Sequence, residues 1–139
     1  MSVFNAMNIS ASGLSGERLR VDVIAGNIAN QKTTRTADGE AYRRKVAVFQ
    51  ENLVQANDTL TKKVSGLKAV EIVEDDSPLT PVYDPTHPDA NEDGYYYLPN
   101  VDPLTEMVDL MVATRAYEAN TTAINASKSM YTTALQIGK

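Results

Sequence analysis

The sequence predicts an α+β fold: long N- and C-terminal helices packing as a coiled-coil-like pair, with a small β-rich, partly extended segment between them. Three observations predict it. Apolar residues recur every three or four positions at both ends. β-branched and aromatic residues concentrate over 42–54 and 64–73. All six prolines fall between Pro78 and Pro103. The expected organisation is therefore a helix over 1–30, a β-rich and proline-rich acidic middle over 31–101, and a helix over 102–139.

The first helix follows from Phe4, Met7, Ala11, Leu14, Arg18, Val21, Ala25 and Ile28, which alternate spacings of three and four. Arg18 is the one charged member. Met7, Leu14, Val21 and Ile28 lie seven apart, a seam of about four heptads. An ordinary amphipathic helix fits the same pattern. Ser2 is the expected N-cap. Gly13 and Gly16 each cost about 1 kcal/mol against alanine inside a helix, unless they admit a close neighbour.

The middle opens with Asp38-Gly39, a turn signal. The stretches 42–54 and 64–73 read as strands. From Glu71 to Asp93 there are eight acidic residues and no lysine or arginine. That stretch is expected to be extended and poor in regular structure.

The last helix is expected to start at Pro103, with Asp102 as N-cap and Glu106 favouring the positive helix end. It should run to about Ile137, with Gly138 as a stop. One seam is Val112, Ala116, Ala119, Ala123, Ala126, Met130, Thr133 and Ile137. A second row is Leu110, Tyr117, Ile124 and Tyr131. The two rows sit roughly 100° apart, so this helix is apolar toward more than one partner. Small alanines allow close approach, and tyrosines supply rigid contact area. Expected interface residues are Leu14, Val21, Ile24 and Ile28 on the first helix. On the last they are Leu110, Ala116, Tyr117, Ala119, Ala123, Ile124 and Met130.

Composition narrows the function. A net charge of −5 and 22% charged residues disfavour a general nucleic-acid or anionic-membrane binder, both of which need a dense basic face. With no cysteine, disulfides, thiolate metal sites and cysteine nucleophiles are excluded. No apolar run reaches the length of a membrane span. Met1-Ser2-Val3-Phe4-Asn5 has neither a basic n-region nor an apolar h-region, so no cleavable secretory signal is expected.

Candidate chemistry is sparse. His87, the single histidine, sits between Pro85 and Pro88 and reads as an exposed loop residue. A hydrolase would have to use Asp75, Asp76 or His87, yet adjacent acids in a polar loop are normally both ionised, and catalysis needs their pKa values separated. Asp89-Ala90-Asn91-Glu92-Asp93-Gly94 matches the opening of a calcium loop, but Asn100 stands where the bidentate glutamate belongs. A small calcium-binding module is the alternative functional reading. Arg43-Arg44-Lys45 suits a charged strand edge or a contact to an acidic neighbour. No catalytic residue, cofactor, metal or small-molecule substrate is expected.

Both ends carry longer patterns. Ser12-Gly13-Leu14, Asn27-Ile28-Ala29-Asn30 and Thr33 resemble the N-terminal motif of flagellar rod and hook proteins. Pro99-Asn100-Val101-Asp102, Glu106-Met107-Val108-Asp109-Leu110-Met111, Arg115-Ala116-Tyr117-Glu118-Ala119-Asn120 and Ala134-Leu135-Gln136-Ile137-Gly138 resemble the C-terminal motif of the same family. The short middle, with Tyr42-Arg43-Arg44-Lys45-Val46, Phe49-Gln50 and Asp93-Gly94-Tyr95, is similar to the members that build the proximal rod. The resemblance implies a non-enzymatic structural subunit, a substrate of the flagellar type III export apparatus, placed in the periplasmic part of the basal body. Its partners would be copies of itself and other rod proteins. Assembly would use the terminal helices, whose apolar rows outnumber the surfaces one chain supplies.

Overall fold

The computed structural model describes residues 3–55 and 62–137. Six elements follow in order: α1 (Val3–Ala29), β1 (Lys45–Gln55), β2 (Lys62–Glu74), β3 (Thr80–Tyr83), β4 (Tyr95–Leu98) and α2 (Pro103–Ile137). β1 and β2 form one two-stranded sheet, and β3 and β4 another. The expected α+β fold class is observed, with both long helices in place. Ser2 and Gly138 lie outside the described residues.

Local chemistry sets the helix limits. Asp102 caps α2: one carboxylate oxygen accepts from the Leu104 N–H at 3.2 Å, and the other accepts from the Thr105 hydroxyl at 2.6 Å. These bonds pull the Asp102 pKa below the usual carboxylate range, the Thr105 hydroxyl contributing most. At the other limit of α1, Asn30 donates its side-chain amide to the Gly26 carbonyl at 2.9 Å and accepts from Thr33 at 3.2 Å. The exposed carbonyls of the last turn are thus met by motif residues rather than by a glycine cap.

The residues group into two compact units. Met1–Val21, Ala47–Glu71 and Val112–Lys139 make the first; Asp22–Val46 and Ile72–Met111 make the second. In the first unit, α1 meets both α2 and the β1–β2 hairpin. Its glycines explain how. A Cβ on Gly13 would stand 3.1 Å from the Asn120 side chain of α2, and one on Gly16 would stand 2.5 Å from Leu67 of β2. The helix cost of these glycines is offset by two neighbours seated against one turn. Ser12 then clips the hairpin down: its hydroxyl donates to the Ile9 carbonyl at 2.7 Å and accepts from the Leu67 N–H at 2.9 Å. Gly66 sits directly over Ser12 with φ +110.

In the second unit, β3 and β4 pair antiparallel with Thr80 opposite Leu98 and Tyr83 opposite Tyr95. The Tyr83 and Tyr95 rings meet edge-on at 5.1 Å. This corrects the expectation of an extended 71–93 segment. β2 continues to Glu74, and Pro81 is accommodated within a short edge strand, where no ladder N–H is required. His87 is also corrected: it is half-buried, stacked on Tyr96 at 4.0 Å, and its Nδ1 accepts from the Asp89 N–H at 3.1 Å. The Asp38-Gly39 turn is observed, with Gly39 at φ +86 and Thr36 and Glu40 bonded across it.

Gly39 and Gly66 separate backbone strain from crowding. Both have positive φ, but a Cβ on Gly39 meets nothing within 4 Å, whereas one on Gly66 would stand 2.1 Å from the Ser12 hydroxyl. Gly39→Ala is expected to cost about 1 kcal/mol. Gly66→Ala is expected to cost at least about 1 kcal/mol more, through displacement of Ser12. Denaturant unfolding of the two variants checks the difference, and equal losses would contradict the packing at Ser12.

Candidate functional site

Two features stand out: a buried polar hub in the second unit, and helical faces that the chain leaves uncovered. The hub is built on Asn27 of α1 and Glu106 of α2, the only polar side chains fully buried among the described residues. Asn27 Nδ2 donates to the Lys45 carbonyl at 2.8 Å and to Glu106 Oε2 at 3.0 Å. Its Oδ1 accepts from the Lys45 N–H at 2.9 Å and from the Tyr42 hydroxyl at 3.0 Å. All four hydrogen-bonding positions of the amide are filled. The amide pairs with both polar groups of Lys45 as a neighbouring strand would.

Glu106 completes the hub through Arg44, whose Nε donates to Oε1 at 2.6 Å. The other guanidinium nitrogens face Asp75 and Asp109, each at 3.6 Å. Partial burial alone would lower the Arg44 pKa, but the Glu106 contact and the further carboxylates outweigh it and hold the group above its ordinary value. Asn100 ties the same corner. Its Oδ1 accepts from the Arg44 N–H at 2.8 Å, and its Nδ2 donates to the Asp75 carbonyl at 2.9 Å and the Ser77 carbonyl at 3.2 Å. The Asp75 carboxylate is held below the usual range mainly by Ser77, with Arg44 adding to it.

This hub extends two sequence expectations. Glu106 does not merely face the positive end of α2; it is fully buried, and both its oxygens are engaged. Arg44 is not an outward edge charge; it turns inward onto three acids, the acidic-neighbour alternative realised within one unit. Sequence reasoning singled out Asn27 and Asn100 only as motif residues, and Glu106 as a motif residue and a helix-end charge. Their partnership needs separations of 79 and 56 residues that no local pattern reveals.

The calcium reading gains no support. Asp89 accepts from the Thr34 hydroxyl at 2.7 Å and faces Arg35 at 3.6 Å. The Asn91 side chain accepts from the Asp93 and Tyr95 N–H groups. Gly94, at φ +79, closes an Asx-type turn. Among the described residues no three His, Cys, Asp or Glu side chains group as metal ligands. Asp75 and Asp76 do not act as a pair: Asp75 binds Arg44 and Ser77, and Asp76 is exposed.

The expected interface residues divide by exposure. Ile24 is 5% exposed and belongs to the chain's own core. Leu14, Val21, Ile28, Leu110, Ala116 and Ile124 are half-buried. Tyr117, Ala119, Ala123 and Met130 are exposed. On α2 the better-covered positions are Glu106, Leu110, Ala113, Ala116, Asn120, Ile124 and Ser127, a three-four row that includes polar members. The row of Ala119, Ala123 and Ala126 is left outward. Leu104, Met107, Val108 and Met111 form a further exposed apolar face that the sequence reading did not single out. Among the described residues no helix is long and apolar enough to cross a membrane.

With this geometry in view, comparison with known proteins is decisive. Residues 7–35 match the family described as flagella basal body rod protein. Residues 92–137 match the family described as flagellar basal body rod FlgEFG protein C-terminal. The flagellar basal-body rod protein FlgC of Bacillus subtilis is 48% identical over the full length of both chains. This chain belongs to the flagellar basal-body rod protein family. The FlgC proteins of Borreliella burgdorferi, at 44% identity over 99% of this chain and 98% of its own, and of Escherichia coli O6:H1, at 37% over all of both, agree. It is a structural protein of the rod and not an enzyme. The two matched regions contain Asn27, Asn100 and Glu106, so the hub joins residues drawn from both family regions.

Removing Asn27 would strand the Lys45 N–H and carbonyl, the Tyr42 hydroxyl and one Glu106 oxygen. Asn27→Leu is expected to cost about 3 kcal/mol or more, against about 1 kcal/mol for Tyr42→Phe. Thermal unfolding of both variants checks this ordering.

A second expectation concerns acid. The Asp102 and Asp75 pKa values are depressed in the folded chain. Their stabilisation is therefore present above the unfolded value of about 3.9 and is lost as pH falls through the lower folded values. Unfolding midpoints measured from pH 6 downward should fall below about pH 4. Asp102→Asn, which still caps without titrating, should flatten part of that fall.

Proposed function

We propose that this chain, a structural subunit of the flagellar basal-body rod, polymerises through the faces that its terminal helices leave exposed. The observation that carries this reading is the coverage of α2. Of its 35 residues, Glu106 and Ala113 alone are fully buried among the described residues. From Lys128 to Ile137 every residue is exposed, including Met130 at 63% and Leu135 at 57%. Apolar surface on this scale marks an association site. Helices of this kind gain most of their stability from packing. Neighbouring copies and other rod proteins supply it in this reading.

A tube assembled from one kind of subunit needs unlike faces on each copy. The rows on α2 point in different directions around the helix, as that geometry requires. Helices that gain stability only on docking would couple ordering to assembly and suit passage through the flagellar export apparatus. Placement in the periplasmic stretch of the basal body, and transmission of torque along the rod, belong to the same proposal.

Deleting residues 103–139 tests it. Basal bodies purified from cells carrying that deletion should lack the protein, and those cells should be non-motile. Normal incorporation of the shortened chain would refute assembly through α2.

A further inference from the structure

The chain holds five methionines and no cysteine, so thioethers are its only sulfur groups. Met1 lies outside the described residues, and Met7 on α1 is half-buried. The three on α2 are all exposed: Met107 at 49%, Met111 at 56% and Met130 at 63%. Met107 and Met111 lie one turn apart in the second unit, on the apolar face they share with Leu104 and Val108. Met130 lies in the first unit, in the run from Lys128 to Ile137 whose residues are all exposed. In the free chain each of these three side chains is open to a small oxidant dissolved in water. No cysteine thiol is present to intercept that oxidant first.

Hydrogen peroxide oxidises a thioether by transfer of one oxygen atom. A sulfur lone pair attacks one peroxide oxygen and forms the S–O bond. The O–O bond breaks, and after proton transfer the second oxygen leaves as water. Sulfur loses two electrons and the peroxide gains them. A flexible apolar side chain becomes a polar, chiral sulfoxide. On a face open to water the new acceptor oxygen is hydrated, and the fold is undisturbed. In a contact that excludes water the same oxygen is stranded without a donor.

We propose that Met107, Met111 and Met130 are peroxide-oxidation sites of the unassembled chain, and that their sulfoxides block its incorporation into the rod. The modification acts on association and leaves the fold intact, because it falls on side chains that the chain's own core does not use. It is reversible: a thiol-dependent reductase returns the thioether, the two thiols becoming a disulfide and the sulfoxide oxygen leaving as water. The inference rests on the rod reading above and assigns a regulation to the same helical faces.

Two experiments test it. In the first, the purified chain is treated with hydrogen peroxide and its peptides are weighed over time. Met107, Met111 and Met130 should each gain one oxygen about fivefold faster than Met7. Met7 keeping pace with them overturns the site assignment. In the second, cells building flagella receive a brief peroxide pulse, and the wild-type chain is compared between isolated basal bodies and the unassembled pool. Sulfoxide at the three positions should be about tenfold scarcer in the basal bodies. Equal sulfoxide content in the two pools overturns the block on incorporation. A chain carrying Met107→Leu, Met111→Leu and Met130→Leu should lose less than about twofold of its own incorporation during the pulse, where the wild type loses about tenfold. An equal loss in both chains overturns the proposal while rod membership stands. Basal bodies that lack the wild-type chain without any peroxide overturn the rod reading itself.

Discussion

α2, a helix of 35 residues, is covered by its own chain along one row only, from Glu106 to Ser127. There Glu106 meets Asn27 and Arg44, with Ala113 buried two turns later. Beyond Ile124 and Ser127, α2 has little of its own chain to lean on. This uneven coverage organises everything else. The hub fixes the first turns of α2 in the second unit, and the turns beyond Ser127 present apolar residues to whatever comes alongside.

The hub is polar because its task is positional. A buried ion pair is weak support for stability, since desolvation consumes much of its attraction. Its value lies in direction: the Asn27 amide accepts only a partner with one donor and one acceptor at fixed spacing, and Lys45 supplies both. An apolar contact at the same place would tolerate sliding or rotation. Asn100 repeats the device on Arg44 and on the turn at Asp75–Ser77. Ser12 does the same for the hairpin over α1. Such directional bonds resist rotation of one element on another.

The helices, and the start of the last one, were legible in the sequence because their signals are local. Asp102-Pro103 marks a helix start within two residues, and the three-four spacing of apolar residues marks its length. The strands 42–54 and 64–73 were legible for the same reason, although the structure starts the first at Lys45 and the second at Lys62. Gly13 and Gly16 signalled a close approach, but not that Asn120 and Leu67 would fill the two spaces. The β3 strand was hidden by Pro81 and by the surrounding acids, which speak for loop; only its partner, the Tyr95–Leu98 run, shows why it forms. The hub was illegible in principle. Nothing near Asn27 or Arg44 in the chain hints at Glu106, and a favourable charge at the positive helix end accounted for that glutamate too readily.

Hydrogen exchange, measured on the purified chain and on the same chain in isolated rods, tests most directly whether α2 depends on its neighbours. Amides around Asn27 and from Thr105 to Ala113 should be protected in both states. Those from Ala119 to Ile137 should exchange quickly in the free chain and slowly in the rod. Strong protection along the whole of α2 in the free chain would show that the helix stands without partners, and would contradict the account.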